Sequence, residues 1–364
     1  MFSIVGFQWL ANYLFIFLMV SISLSLTTMP KLIKQIVLHK SFKFYLFLNF
    51  INIFYYLLFE LGDVESLKYL FSRLAGLSMF AISIEINADF YKEKMFPWIS
   101  NLLILLCVAG VFFNFPSVGR YSGLIGNYNE FGVLMSIAFG FKYIAREKHD
   151  FSHWSILILL ALMTVFSGSR AAIIGLIIPV FFVEKSILKP LLIMTLIGGG
   201  VFLLTELNQS ENSFSRLSSN EPLLSNRIKE YQYAILTFKN KWLLGNGLSN
   251  YSYINADLIA TEDAHHMIGS HNGYLAVLVQ YGVLFSSFFF LNLFYGLRKI
   301  KIFVLVHWEK RYVKSFVFII VYGLIYSLFE TVMTGINNFH TALFWLAFGL
   351  LFHDAYQYKQ SKKT

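Results

Sequence analysis

Residues 273–297 read GYLAVLVQYGVLFSSFFFLNLFYGL, a run of 25 residues without a charged side chain. An α-helix rises about 1.5 Å per residue, so this stretch is long enough to cross the roughly 30 Å of hydrocarbon in a bilayer. The run therefore predicts a transmembrane helix.

Apolar runs of similar character recur along the whole chain. The composition agrees with them, because 57% of the 364 residues are hydrophobic, 18% aromatic and only 13% charged, with a mean hydropathy of +0.62. Soluble domains are far less apolar, and a membrane β-barrel would show short alternating segments. We predict a single all-α transmembrane domain over residues 1–364, a polytopic helical bundle of about 11 spans. The runs fall at 4–26, 44–62, 69–87, 98–115, 123–142, 152–167, 171–184, 188–205, 273–297, 313–332 and 338–353.

Lysine and arginine are distributed unevenly among the loops between these runs. One set of alternate loops holds 20 of the 29 basic residues, the short loops of the other set hold four, and one long loop holds the rest. Because cytoplasmic loops collect Lys and Arg, we predict an N-terminus outside and a C-terminus in the cytoplasm. The first run lacks a basic segment before it and a small-residue cleavage site after it, so we interpret it as a span rather than a secretory signal.

Two further features of the composition narrow the possible partners. The net charge of +9 follows from the uneven loops, so it does not by itself indicate nucleic acid. The one cysteine, Cys107, lies in an apolar run, which excludes disulfides within the chain and metal centres held by several thiolates of this chain.

Residues 206–270 form the one long polar segment, and the predicted topology places it outside the membrane. Apolar residues recur at helical spacing in its middle, which predicts an amphipathic helix over about 227–243, lying on the membrane or on the bundle. The residues of this stripe are Ile228, Tyr231, Ile235, Phe238 and Trp242.

Two arginines stand in short outer loops, where the topology disfavours a cation. They are Arg120 and Arg170. Ser169 is a natural N-cap, so Arg170 should begin a helix whose free N–H groups and dipole favour an anion such as phosphate or pyrophosphate. The alternative is an arginine that pairs with a lipid headgroup or a nearby carboxylate.

Arg227 resembles Arg170 in its local sequence. It follows Ser225 and Asn226, which are cap-like residues, and it lies in the first turn of the predicted loop helix. We interpret it as a second phosphate-binding arginine. The alternative is an ion pair with Glu230, one helical turn later.

His271 lies at the junction between the long loop and the apolar run that begins at residue 273. The positive end of a helix disfavours a protonated imidazole, so this histidine is a candidate general base. The alternative is a histidine at the membrane interface that hydrogen-bonds to main chain or lipid.

Other polar residues lie in the long loop and at the outer ends of the membrane runs. His265 and His266 follow Glu262 and Asp263, but the spacing matches no metal-ligand pattern, so we expect neither a metal nor a cofactor. Polar groups also enter the membrane runs from outside, where they could line a cavity or hydrogen-bond between helices. These groups are Asn127, Asn129, Glu130 and Glu330.

The order of these motifs resembles the bacterial O-antigen ligase and polysaccharide polymerase superfamily (Wzy/WaaL-like). The likeness spans residues of about 100–300. The residues that carry it are Gly126-Asn127-Tyr128-Asn129-Glu130, Ser167-Gly168-Ser169-Arg170, Asn226-Arg227 and Ser270-His271-Asn272-Gly273-Tyr274.

The resemblance implies a GT-C-like fold in the bacterial inner membrane that transfers glycan from undecaprenyl diphosphate at the outer face without a metal. It implies that Arg170 and Arg227 neutralise the donor diphosphate and that His271 deprotonates the acceptor hydroxyl. The remaining residues expected to contact substrate are Arg120, Glu130 and Asn272.

Two other functions stay open beside the repeat-unit polymerase of O-antigen or capsule that we favour. One is the ligase of the same superfamily, which transfers finished glycan to lipid A core. The other is a flippase or transporter of lipid-linked glycan. The expected partners are undecaprenyl-diphosphate-linked oligosaccharides as donor and acceptor, membrane lipids and a chain-length regulator protein, with no nucleic acid.

Overall fold

The computed structural model describes residues 30–114, 120–145, 151–184, 225–249, 254–258, 271–336 and 338–362, together with isolated positions between 13 and 28. Every regular element in these residues is helical. The α-helices are α1 (Pro30–Leu38), α2 (Lys43–Phe59), α3 (Val64–Phe90), α4 (Phe96–Phe113), α5 (Tyr128–Ala145), α6 (Phe151–Phe166), α7 (Arg170–Val183), α8 (Ser225–Asn240), α9 (Gly273–Val306), α10 (Arg311–Tyr326) and α11 (Phe339–Ser361).

The predicted all-α class is confirmed for the described residues, and each apolar run from 44–62 to 171–184 and from 273–297 onward corresponds to a helix. The run at 188–205 lies outside the described residues, and so does most of 4–26. By length and composition, two continuous helical stretches of the described residues could cross a membrane: Val64–Phe113 with 50 residues, which contains both α3 and α4, and α9 with 34. The number of spans therefore stays a prediction.

Large apolar side chains lie on the outside of the helices as well as in the core. Phe112 is 81% exposed, and Leu105 and Leu291 are each 64% exposed. A soluble protein rarely exposes so many large apolar groups, whereas lipid solvates them at no cost. The outer surface is therefore suited to a hydrocarbon environment.

The bundle has two ends, which we call upper and lower. The upper end contains residues 327–336, and the lower end contains Asp354. Helix α3 begins near the upper end, where the Tyr69 hydroxyl donates to the Thr334 carbonyl at 3.0 Å. The chain reaches the lower end at Lys92, whose Nζ lies 2.6 Å from the Asp354 carboxylate.

The sequence predicted a loop between the runs 69–87 and 98–115, but the structure keeps this segment helical. The chain turns through a non-helical Asn87 (φ −135°, ψ 35°) and a π-helical turn, Tyr91–Met95. A wide turn of this kind keeps main-chain hydrogen bonds while changing direction. The reversal therefore needs no exposed loop.

The run 313–332 was also predicted as one continuous helix, and the structure corrects this boundary. Helix α10 ends at Tyr326, the described residues from 327 to 336 are not helical, and α11 begins at Phe339. Glu330 therefore lies in an irregular segment at the upper end rather than on a helix. Its main chain is fixed, since Glu330 N donates to the Tyr326 carbonyl at 3.0 Å.

Helix α9 is interrupted at Gly282, where φ is +63° and ψ is −178°. The chain after α8 fills this break. Main-chain N–H groups of Val283 and Leu284 donate to the carbonyls of Trp242 and Leu243, at 2.8 and 3.2 Å. A membrane helix can be broken where neighbouring protein satisfies the freed peptide groups.

The main-chain carbonyls before the break also have partners, and here the turn after α8 is the donor. Asn246 N donates to the Val279 carbonyl at 2.8 Å, and Gly247 N donates to the Gln280 carbonyl at 3.2 Å. Donors and acceptors on both sides of the break are therefore paired with one turn. This pairing attaches the loop helix α8 to the bundle.

We expect Gly282→Ala to detach this turn. A Cβ at residue 282 would lie 2.4 Å from the Leu243 carbonyl oxygen, and the positive φ is strained for alanine. The free energy of unfolding should fall by at least about 2 kcal/mol, measured as a lower melting temperature in detergent.

Gly76→Ala is the matched control, because a Cβ there meets nothing within 4 Å and the residue lies inside α3. This variant should melt at or slightly above the wild-type temperature. Equal melting temperatures for the two variants would show that the break is not a stabilising junction.

Candidate active site

Glu330 brings a cation and a histidine together at the upper end of the bundle. Its carboxylate lies 3.3 Å from the Nδ1 of His271 and 3.8 Å from an Nη of Arg227. About a quarter of each of these three side chains is exposed to solvent. A substrate could therefore reach the group without local unfolding.

His271 is held in a strained conformation immediately before α9. Its φ of 38° is the one positive value for a non-glycine residue in the described part of the chain. Such a conformation persists where the surroundings over-determine it, and it is often found at functional sites. Here the next two residues supply the restraint.

Asn272 and Gly273 fasten the start of α9 to the end of α10. The Asn272 Oδ1 accepts from the main-chain N–H groups of Tyr274 and Leu275, each at 3.0 Å, so this residue is the N-cap. Its Nδ2 donates to the Leu328 carbonyl at 3.3 Å, and Gly273 N donates to the Ser327 carbonyl at 2.6 Å. Both polar atoms of the Asn272 amide thus help to position His271, and the predicted contact of Asn272 with substrate stays a prediction.

Arg227 bridges two carboxylates. Besides Glu330, its guanidinium contacts Glu230 at 3.0 Å, the pair that the sequence offered as the alternative to phosphate binding. Glu230 is buried rather than on a solvated face. Burial raises the pKa of the Glu230 carboxyl above its usual value, and the charges of Arg227 and His271 partly offset that rise.

The face that α8 turns toward the bundle is made of small and polar residues. Its buried residues are Glu230, Ala234 and Thr237, which follow one another at helical spacing. These residues allow a close approach to α9. Of the predicted apolar stripe, Ile228 is 44% exposed and Ile235 is 40% exposed, so part of the stripe faces away from the bundle.

Tyr231 ties α8 to the same turn that carries Glu330. Its hydroxyl donates to the Leu328 carbonyl, the same acceptor that Asn272 uses. Arg227 and His271 are therefore positioned against Glu330 through one shared carbonyl.

Arg170 is the first residue of α7, as the sequence predicted, and Ser169 is its N-cap. The capping comes from the main chain, since the Ser169 carbonyl accepts from Ala172 N at 3.1 Å and the serine side chain makes no cap hydrogen bond. The Ala171 carbonyl accepts from the Tyr322 hydroxyl at 3.3 Å. Since Tyr322 lies one turn before the end of α10, Arg170 is at the upper end of the bundle, as His271 is.

Arg120 has a different environment from the other two arginines. Its Nε donates to the Ser167 carbonyl at 2.9 Å, and an Nη donates to the Asn129 Oδ1 at 2.6 Å. The guanidinium also lies over the Tyr128 ring, 4.9 Å from its centre. These contacts connect the 120s loop to the turn before α7, so Arg120 organises the neighbourhood of Arg170.

Two further ionisable side chains lie near Glu330. Glu130 lies in the first turn of α5. Its carboxylate interacts electrostatically with Tyr326, as the carboxylate of Glu330 does. His340, at the start of α11, packs edge-on against the Tyr326 ring with centres 5.3 Å apart. His340 could not be identified from sequence, because its surroundings are set by tertiary packing. Glu262, Asp263, His265 and His266 lie outside the described residues.

The arrangement has a definite chemical capability. If His271 carries its proton on Nδ1, this N–H donates a hydrogen bond to the Glu330 carboxylate. The Nε2 then keeps a lone pair, which can accept a proton from a substrate hydroxyl. A carboxylate that orients the base in this way is the common logic of acid–base catalytic sites.

Part of the chain matches a known protein family. Residues 155–290 match the family model of the O-antigen ligase family (Wzy_C), and the match includes Arg170, Arg227 and His271. A comparison with curated proteins gave no match. Members of the family are membrane proteins and include ligases and polymerases of glycan transfer. Residues 155–290 thus carry an O-antigen ligase family domain, and the resemblance of the chain to the O-antigen ligase and polysaccharide polymerase superfamily is confirmed.

Proposed function

We propose that this protein joins undecaprenyl-diphosphate-linked oligosaccharide repeat units into O-antigen or capsular polysaccharide at the outer face of the bacterial inner membrane. The observation that carries the proposal is the Glu330 carboxylate, which contacts His271 at 3.3 Å and Arg227 at 3.8 Å. A base and a cation beside one carboxylate suit the transfer of a sugar from a diphosphate to a hydroxyl.

The reaction is a direct displacement at the donor's anomeric carbon. The acceptor hydroxyl oxygen forms a bond to that carbon while its proton passes to His271 Nε2. The bond from carbon to the diphosphate oxygen breaks, and the lipid diphosphate leaves with the bonding electrons. Attack opposite to the leaving group inverts the anomeric configuration.

Charge placed beside the leaving group lowers the barrier, because negative charge develops there in the transition state. Arg170, together with the free N–H groups at the start of α7, would bind the departing diphosphate. Arg227 is shared by Glu230 and Glu330 before substrate binds, at 3.0 and 3.8 Å. A diphosphate carries more charge than either carboxylate, so it can attract this arginine away from them.

A ligase of the same superfamily is the second candidate, because the matching family model is described as O-antigen ligase. Both reactions use the same donor chemistry at the same residues and differ in the acceptor. Inactivation of the gene separates them. For a polymerase we expect the polysaccharide ladder to disappear while a single repeat unit remains attached to the lipid A core. Loss of all attached glycan would identify a ligase instead.

We expect His271→Ala and Arg170→Ala to fail in different ways. In an assay of purified protein with a defined lipid-linked repeat unit, without nucleotide sugar, His271→Ala should lose at least about 100-fold in kcat and still bind donor, because it removes only the base. Arg170→Ala should weaken donor binding and kcat together, since the diphosphate contact serves both states.

Normal polymerisation by His271→Ala would place the base elsewhere, with Glu130 or Asp263 as the next residues to test. Lys68→Ala is a suitable control, because the exposed ammonium of Lys68 pairs with Glu65 in the same helix at 2.6 Å, away from the candidate active site. This variant should match the wild-type rate.

Glu330→Gln should lower kcat by roughly 10-fold or more while leaving donor binding close to wild type. The amide keeps the shape of the side chain, but it no longer stabilises an imidazolium at His271 when the proton is transferred. Glu330→Asp keeps the negative charge, so it should recover part of the lost kcat.

The comparison of these two variants distinguishes this role from a structural one. Glu65→Gln removes an exposed carboxylate that pairs with Lys68 in the same helix, so its kcat should match wild type. An equally low kcat for Glu330→Gln and Glu330→Asp, or an unchanged kcat for Glu330→Gln, would contradict a positioning role for Glu330.

A further inference from the structure

At the lower end of the bundle, three side chains of metal-ligand type converge from three separate elements. His39 follows α1, Glu85 belongs to α3, and His353 belongs to α11. A ring nitrogen of each histidine and a carboxylate oxygen of Glu85 lie within 4.8 Å of one another. This group could not be recognised from sequence, because the two histidines are 314 positions apart.

Ser41 connects the two imidazoles. Its Oγ contacts the Nδ1 of His39, and it lies 3.0 Å from the Nδ1 of His353. A hydroxyl oxygen has two lone pairs, so it can accept an N–H from both rings. Both Nε2 atoms then keep their lone pairs, which is the state a metal requires of a histidine ligand.

The surroundings hold these rings in place. The imidazoles of His39 and His353 stack with centres 5.5 Å apart, and the Phe42 ring stacks on His353 at 5.6 Å. The nearby ammonium of Lys92 is paired with Asp354 at 2.6 Å. The geometry is therefore built before any ligand arrives, which reduces the cost of ordering the side chains on binding.

We propose that His39, Glu85 and His353 bind a divalent transition-metal ion such as zinc. Two imidazoles and one carboxylate are a set that zinc accepts, and this set leaves one coordination position for water. Zinc–ligand bonds of about 2.1 Å place ligand atoms roughly 3.4 Å apart in a tetrahedron, so small side-chain rotations within the present 4.8 Å suffice.

The proposed metal has a structural task rather than a part in glycan transfer. His340 and His353 belong to the same helix and are separated by 13 residues, a rise of about 20 Å. The ion would join the end of α1, α3 and α11 at the end of the bundle away from Glu330. Its presence is therefore independent of the proposed function.

Metal binding to the full-length protein tests the proposal. The protein would be purified in detergent with a tag that contains no histidine, treated with EDTA and titrated with zinc by calorimetry. Wild type should bind one equivalent, and cobalt(II) should give the visible absorption of a four- or five-coordinate site with nitrogen and oxygen ligands. His39→Ala and His353→Ala should each weaken zinc binding by more than about 100-fold.

Two further variants sharpen the test. Ser41→Ala should weaken binding about 10-fold, because it removes only the group that orients the rings. His307→Ala should bind as wild type does, since this histidine is also at the lower end but its Nδ1 lies 3.1 Å from the Phe303 carbonyl, outside the group.

The proposal is overturned if wild type shows no saturable zinc binding, or if the double variant of His39 and His353 binds as tightly as wild type. Glu85→Gln serves as a test that does not depend on the folding of the histidine variants, because it removes the charge with little change of shape. If Glu85→Gln elutes as a folded protein and keeps the cobalt spectrum of wild type, the assigned site is wrong.

Discussion

A helix that is broken inside an apolar bundle leaves peptide groups that need hydrogen-bond partners, and α9 is broken in this way at Gly282. The turn after α8 supplies the partners, because it forms four main-chain hydrogen bonds with residues 279–284. Since the turn and α8 are continuous in sequence, satisfying the break also lays α8 along the first part of α9. The start of α8, with Arg227, thereby reaches the start of α9, with His271.

The irregular segment after α10 completes the upper end, because neighbouring helices hold it from several sides. Arg73 and the Trp345 indole donate to the Met333 carbonyl at 3.1 and 3.2 Å, and Tyr69 donates to Thr334. An irregular segment is tolerated at this depth only when its carbonyls are paired in this way. The same hydrogen bonds restrain the main chain of Glu330. The position of its carboxylate is therefore set by the fixed segments before and after residue 330.

The sequence could predict features that are local or periodic, and it could not predict partnerships across long separations. Apolar length predicted the helices, and Ser169 and His271 were identified because a helix start leaves a local signature. Glu330 was recognised as polar in an apolar run, but its contact with His271 spans 59 residues and follows from tertiary packing. Hydrophobicity predicted the amphipathic helix α8, but it could not show that Ala234 and Thr237 form the face that packs on α9.

The outward-facing stripe of α8 bears on which donor the site can take. Ile228 and Ile235 on α8 are 44% and 40% exposed, and Trp242 in the turn that follows is 56% exposed, while the other face of α8 packs against the bundle. Apolar side chains in this position suit the boundary between headgroups and acyl chains, where Trp is especially favoured. The proposed donor, a lipid diphosphate, presents its charge at that same boundary, while its chain stays in hydrocarbon. If α8 lies at this boundary, Arg227 in its first turn is at the level of the headgroup. This placement supports the proposed lipid-linked donor, because a water-soluble nucleotide sugar would gain nothing from it.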